Sequence, residues 1–270
     1  MAIWDPDLYL KFGAERSRPA LDLAQRARIL LSARTETGAG LSILDLGCGP
    51  GNSTAVLAGV FPGSSLTGLD SSGEMIAAAR SGGPAASWII ADATDWRSDR
   101  SFDLIFSNAV LQWIADQETL LGRLWSTLAD GGVLAVQVPG NSLSPLHRAL
   151  RTTAANGPWR NEFSGLDDLI RYHEPDFYHE VLAPFGGTVD VWETTYWHVL
   201  AGHDGLIDWY RGTGMRPWLE KLADPAERAA FISAVREEAA PAYPLRADGS
   251  VLFPFRRIFF TAVKSTGVNP

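Results

Sequence analysis

Three glycines fall within five residues at the end of an apolar run in Ile43 to Ser53, ILDLGCGPGNS, and a helical pattern begins near Asn52. Glycine there lets the backbone turn sharply and lets a ligand reach main-chain amides with no Cβ in the way. The spacing of Gly47, Gly49 and Gly51 is G-x-G-x-G, whereas the dinucleotide fingerprint G-x-G-x-x-G needs glycine at the position of Asn52. Asp70 ends the run LTGLD, 19 residues beyond Gly51, where a carboxylate accepts both hydroxyls of a ribose. Asp92, in IIADATDW, is expected to close a third strand, where a carboxylate can take the amino group of an adenine, and Asn108, in FDLIFSNAVLQWI, to close a fourth. Singly, each has a plainer role: Asp70 capping a helix, Asp92 or Asp95 forming a turn. In register, four strand ends that each present a polar group define one crevice at the carboxyl edge of a sheet, where open α/β sheets bind ligands. Cys48, flanked by glycines with no basic neighbour, reads as a small buried filler.

The elements that must position these residues alternate. Residues up to about Ala33 form a helical preface in which Ser17 can cap a run with Pro19 in its first turn. After a break at Thr37 to Gly40 come a strand over Ser42 to Leu46, a helix over Thr54 to Phe61, and a second strand over Ser65 to Leu69. A helix capped by Ser72 runs to Arg80, followed by strands at Trp88 to Ala91 and Phe102 to Ser107. A helix capped by Asp116 and a fifth strand at Val133 to Val138 complete the series. This repetition predicts an α/β protein with a doubly wound, mostly parallel sheet covered on both faces. Residues 141–250 hold helical segments separated by Gly and Pro, together with a β-forming stretch at Thr188 to Leu200. Val251 to Val263 is a last strand candidate broken by Pro254. The expected organisation is a preface plus ligand-binding core over 1–140, a mainly helical cap over 141–250 that contains the strand near 188–200, and a returning seventh strand in 251–270.

Composition excludes several alternatives. The 270 residues are 46% hydrophobic and 20% charged with a net charge of -8, too apolar for disorder and too acidic for a nucleic-acid footprint. No apolar run has membrane-spanning or signal-peptide length, and the single cysteine makes no internal disulfide, so the expectation is a soluble cytoplasmic protein with no membrane or evident protein partner. His147, His173, His179, His198 and His203 show no metal-ligand spacing, and no metal is expected. Of 23 basic residues only Lys11, Lys221 and Lys264 are lysine. That bias is either genomic or a sign that some arginines serve as forks for a planar carboxylate.

The ordered set DLGCGPG, LD, ADATDW and SNAVLQW, over roughly residues 40–140, resembles the class I S-adenosylmethionine-dependent methyltransferases. The resemblance implies the Rossmann-like methyltransferase fold and S-adenosylmethionine as cofactor, with S-adenosylhomocysteine as product. It further implies that Gly47, Gly49 and Gly51 contact the methionine portion, Asp70 with its neighbour Ser71 the ribose, and Asp92 with Ala93 the adenine. Met75 would pack on the adenine, Asn108 would lie near the methionine end, and Asp45 would suit a cofactor carrying an ammonium and a sulfonium. Outside the core, WDPDLYLKFGAERSRPA, GTGMRPWL and FPFRRIFF are similar to the trans-aconitate 2-methyltransferase family, which implies esterification of a small anionic polycarboxylate.

A carboxylate is already ionised at neutral pH, with an ordinary pKa of about 4, so methyl transfer to it needs no general base and no catalytic acid–base residue is assigned. Positioning and charge would do the work, which predicts arginines and hydrogen-bond donors around the acceptor. The acceptor set is Tyr9, Arg16, Trp113, His173, Arg216 and Arg257, with Arg18, Arg256 and Trp197 as further candidates. Adjacent arginines on a strand point to opposite faces, so at most one of Arg256 and Arg257 reaches a pocket. Two other readings stand beside this one: a methyltransferase for an acid on a carrier protein, and a non-catalytic cofactor-binding regulatory module.

Overall fold

The computed structural model describes residues 13–32, 34, 39–166, 170–171 and 173–266, with the side chains of 13–16 outside that description. Its helices and strands are α1 (Gly13–Leu31), β1 (Ser42–Leu46), α2 (Asn52–Val60), β2 (Ser65–Asp70), α3 (Gly73–Gly82), β3 (Ser87–Ile90), β4 (Phe102–Asn108), α4 (Gln117–Thr127), β5 (Leu128–Pro139), α5 (Pro145–Asn156), α6 (Pro175–Leu182), β6 (Thr188–Leu200), α7 (Gly202–Arg211), α8 (Arg216–Lys221), α9 (Pro225–Ala239) and β7 (Val251–Val263).

The seven strands form one sheet in the order β3-β2-β1-β4-β5-β7-β6. The ladders β3-β2, β2-β1, β1-β4 and β4-β5 are all parallel, with Asp45 opposite both Gly68 and Phe106. β7 runs antiparallel to β5, because Gly131 pairs with Lys264 while Gly140 pairs with Arg256. Four of the five residues of β1 are buried, as expected for a central strand covered on both faces. The chain leaves β1 toward β2 on one side and β4 lies on the other, so the strand order reverses there. The ends of β1 and β4 therefore flank the crevice in which such sheets bind ligands.

Helix ends follow the sequence signals. Ser72 accepts from the Met75 amide at the start of α3, and Asp116 accepts from the Thr119 amide at the start of α4. Along α4, Leu120, Leu121, Leu124 and Trp125 are buried at helical spacing.

The chain divides into two compact units, a sheet unit made of residues 16–138, 171–194 and the stretch from 258 on, and a helical unit drawn mainly from 139–170 and 195–257. The sheet unit has its own core, in which Leu44, Ile105, Leu134 and Ile258 are fully buried. The helical unit has another around Trp209, Phe231 and Phe253, with Trp159 and Trp218 also buried. Both β6 and β7 are shared between the units, and residues 171–194 group with the sheet.

Three local expectations change. α1 begins at Gly13, so Ser17 lies within the helix and Pro19 in its interior; Pro19 and Ala20 are buried with Leu23, Ala24 and Ala27, and that packing outweighs the lost hydrogen bond. Leu21 and Ile29 face outward. β3 stops at Ile90, so Asp92 opens the following turn and does not end the strand. β7 continues through Pro254, whose fixed φ suits extended backbone.

Candidate functional site

The glycine loop is built by its neighbours on the sheet. The amides of Gly47 and Cys48 both donate to the carbonyl of Leu69, at 2.7 and 3.0 Å, which ties the end of β1 to the end of β2. Gly47, Gly49 and Gly51 have φ of 72°, 55° and 96°, the left-handed region that only glycine adopts without strain. A Cβ on Gly49 would meet nothing within 4 Å, so that main chain is open to a ligand, whereas a Cβ on Gly47 would collide with the Val110 methyls. The loop hands over to α2 through Gly51, and no side chain caps that helix start. Its first amides suit a ligand carboxylate.

Asp70 is the brace of the loop. One carboxylate oxygen accepts from the Gly49 amide and the other from the Ser72 amide, each at 2.9 Å. A carboxylate has about four acceptor positions, so two bonds from main chain leave room for two hydroxyls. Ser71 beside it is exposed, and Met75 is half-buried in the first turn of α3.

Asp45 is 1% exposed and takes hydrogen bonds from Ser53 and Thr54 on a single oxygen, Oδ2, at 2.7 and 2.6 Å. Its other oxygen, Oδ1, is buried with no hydrogen-bond partner, and so is Oδ1 of Asn108 at the end of β4. Two unsatisfied acceptors on adjacent strands, one of them a carboxylate, match an ammonium donor. These atoms and the uncovered Gly49 cradle fit the amino-acid end of S-adenosylmethionine. Beyond β3, the exposed Asp92 turns the chain by accepting from both the amide and the hydroxyl of Thr94, at 2.7 Å each. The Thr94 bonds, foremost the hydroxyl, hold the Asp92 carboxyl below its usual range.

Burial pushes the Asp45 carboxyl up from 3.8 to about 6, against the Thr54 and Ser53 hydrogen bonds, and the charge of Asp70 pushes the same way. The folded protein thus holds this proton more tightly than the unfolded chain. The resulting stability is complete below the unfolded pKa of 3.8 and is lost as pH rises through about 6. Asp45→Asn removes the titration, so it is expected to gain stability over wild type between pH of about 4 and 6.5, levelling at a difference on the order of 3 kcal/mol. Paired urea melts across that range measure it, and a pH-independent difference would count against the assignment. Cys48 is 3% exposed and burial raises its thiol pKa, consistent with an inert filler.

The other expected residues divide. Tyr9 and the side chain of Arg16 lie outside the described residues. Trp113 sits in a short 3-10 turn beyond β4 and is 48% exposed. His173 stacks on Phe177 with ring centroids 3.7 Å apart, and burial followed by the charge of Arg171 lowers its pKa, which favours the neutral ring. Arg216 donates from Nε to Glu220, one helical turn on, at 2.7 Å. Of the adjacent pair, Arg256 reaches the Gly140 carbonyl, whereas Arg257 is 6% exposed with its guanidinium 4.6 Å above the Phe255 ring. Ser53 and Thr54 as anchors of Asp45, and Val110 as the wall behind Gly47, had no distinctive signal in the sequence beyond their place next to the motifs. Among the described residues no group of three or more His, Cys, Asp and Glu is placed to hold a metal ion, and no helix is long and apolar enough to cross a membrane.

Comparison with known proteins bears on the family and the fold. The family model for a methyltransferase domain matches residues 43–132. A trans-aconitate 2-methyltransferase of Methylobacterium radiotolerans is 45% identical over 269 residues, 98% of this chain and 100% of that protein. The YcgJ protein of Bacillus subtilis superposes with a TM-score of 0.57 at 16% identity, over 90% of this chain and 100% of that one. The plantazolicin methyltransferase BpumL, solved with S-adenosylhomocysteine, does so with a TM-score of 0.53 at 15% identity, over 96% of this chain and 90% of that one. Both likenesses show the fold.

Proposed function

The chain belongs to the trans-aconitate 2-methyltransferase family, and from that premise we propose that it transfers a methyl group from S-adenosylmethionine to a carboxylate oxygen of trans-aconitate. The single observation that carries the cofactor half is the bridge made by Asp70 between the Gly49 and Ser72 amides, with the uncovered Gly49 cradle beside it.

S-adenosylmethionine supplies a sulfonium-bound methyl group, which is attacked in line by the carboxylate oxygen as the carbon–sulfur bond breaks, leaving a methyl ester and a neutral thioether. The protein's part is placement. Asp70 accepts from the ribose hydroxyls; Asp45 Oδ1 and Asn108 Oδ1 accept from the ammonium; the amides at Gly49 and the start of α2 face the methionine carboxylate; Asp92 and Ala93 meet the adenine. No side chain has a proton to remove, because the acceptor is ionised at neutral pH. Its carboxylates need oriented donors.

Arg257 is the donor proposed for one of them. Among the described residues it is the only buried arginine, and a buried guanidinium is stabilised by anions and acceptors arranged around it. The planar fork matches a carboxylate bidentately, which lysine does not. The family's acidic small-molecule substrate is consistent with an overall charge of -8, since salt screens the distant total over about 10 Å while the pocket groups act directly. A cytoplasmic location is part of the same proposal.

Incubation with S-adenosylmethionine and a panel of di- and tricarboxylates, followed by mass spectrometry, is expected to show a monomethyl ester of trans-aconitate. No ester from any acid in the panel, by protein that binds S-adenosylhomocysteine, would refute the activity. Arg257→Gln is expected to raise the KM for the acid by about 10- to 100-fold while leaving S-adenosylhomocysteine affinity unchanged. An unchanged KM would remove Arg257 from the acceptor set.

A further inference from the structure

The turn from Asp92 to Trp96 contains both of the residues that the proposed function places on the adenine, yet it belongs to no helix or strand. Its inner ladder is short. The Asp92 carbonyl accepts from the amides of Asp95 and Trp96, at 3.1 and 2.9 Å, and the Asp92 carboxylate holds Thr94. That arrangement leaves the carbonyls of Ala93, Thr94 and Trp96 without partners inside the turn.

They find them in two arginines. Arg123, in the middle of α4, donates from Nη2 to the Ala93 carbonyl at 3.0 Å and from Nη1 to the Trp96 carbonyl at 3.3 Å. Arg97 donates from Nη1 to the Thr94 and Trp96 carbonyls, at 3.2 and 2.9 Å. Arg97 is exposed and belongs to the same stretch of chain as the turn, so it moves with it. Arg123 is anchored elsewhere: Leu120, Leu121 and Leu124 on its own helix are buried in the core, and the Arg123 Nε is itself buried with no hydrogen-bond partner. A guanidinium is a planar fork that spans two acceptors at once. Here the fork joins a rigid helix to both ends of a turn that has little structure of its own.

From this geometry we infer that Arg123 is a positioning residue for the adenosyl end of the cofactor: it fixes the backbone of Asp92 and Ala93 so that they meet the adenine without being reordered on binding. The inference rests on the reading that the adenine lies at Asp92 and Ala93. Charged groups facing Arg123 are Arg97 and the carboxylates of Asp95, Asp116 and Asp92. The guanidinium therefore also favours the ionised form of Asp92. A turn held in its bound conformation loses less entropy when the ligand arrives, so the clamp acts on cofactor affinity and leaves the transfer step alone.

Titration calorimetry with S-adenosylhomocysteine, run beside steady-state kinetics, tests it in three variants. Arg123→Gln is expected to weaken S-adenosylhomocysteine binding by about 10-fold, and Arg123→Lys, which keeps the charge but offers a single donor nitrogen in place of the fork, by about 3-fold. Both are expected to keep kcat at saturating cofactor and the KM for the acid within about twofold of wild type. Wild-type affinity in either folded Arg123 variant, or a loss shared equally by kcat and the KM for the acid, would overturn the clamp. Asp92→Ala separates the two ideas. It is expected to weaken S-adenosylhomocysteine binding as well; if it does while the Arg123 variants do not, only the clamp fails, and if Asp92→Ala has no effect, the placement of adenine at this turn fails with it.

Discussion

Asp70→Ala is expected to lower S-adenosylhomocysteine affinity by at least about 100-fold and to abolish turnover at ordinary cofactor concentrations. The size follows from what the carboxylate does in the folded chain. It accepts from the Gly49 and Ser72 amides at 2.9 Å each, so its loss leaves two main-chain donors without their acceptor at the place where the loop must hold its shape. Hydrogen bonds to a charged group are worth roughly 1.5 to 3 kcal/mol apiece, and the proposed ribose contacts vanish at the same time. Asp70→Asn retains an acceptor oxygen but turns an amide N–H toward one of the two donors, so it is expected to fall between wild type and alanine. Calorimetric titration reads the affinity, with circular dichroism to show that the sheet is formed. A folded Asp70→Ala protein that binds within about fivefold of wild type would remove Asp70 from the cofactor site.

The second large effect concerns the loop itself. Gly47→Ala introduces a Cβ at φ 72°, where an L-residue costs about 1 to 2 kcal/mol, and drives it into the methyls of Val110. Valine is stiff at χ1 and cannot swing clear, so the total destabilisation is expected to reach about 2 to 4 kcal/mol, with cofactor binding lost. A double-mutant cycle isolates the collision. Val110→Ala alone is expected to be mildly destabilising, yet in the Gly47→Ala background it should restore part of the lost stability by removing both methyls, leaving the left-handed penalty and the remaining 2.9 Å approach to the Cβ of residue 110. Strictly additive effects would mean that the loop relaxes away from Val110, and the close approach of the β1 and β4 ends would then have no energetic weight.

These two residues also mark how far the sequence was legible. The G-x-G-x-G spacing, the carboxylate at Asp70 and the amide at Asn108 all stand at ends of short apolar runs, and apolar runs between turn residues are read locally. Hence β1, β6 and β7 have the bounds expected from the pattern alone. Helix starts at Ser72 and Asp116 were equally readable, because a cap bonds an amide only three residues away. Where a local signal competed with packing, packing prevailed: α1 extends back beyond Ser17 and carries Pro19 inside it, since that helix buries a stripe running from Ala20 to Leu31.

Pairings between distant parts of the chain were not readable in this way. Val110 lies 63 residues from the glycine whose Cβ it would exclude, and Arg123 lies 30 residues from the carbonyl it holds. Neither has a spacing or a composition that announces its partner. Arg216 and Arg257 looked alike as members of one arginine-rich set, yet the fold gives the first an ordinary helix-surface pair with Glu220 and buries the second over Phe255. The sequence by itself determined the alternating architecture, the family and the place of Asp70 and Asn108 at strand ends, because periodicity and turn chemistry act over a few residues. Only the tertiary structure decided which acid is buried with an unsatisfied oxygen and which arginine is desolvated. It alone showed which guanidinium bonds the carbonyls of Ala93 and Trp96. Burial and hydrogen-bond partners are set by what the folded sheet brings together, and one-dimensional spacing carries no record of it.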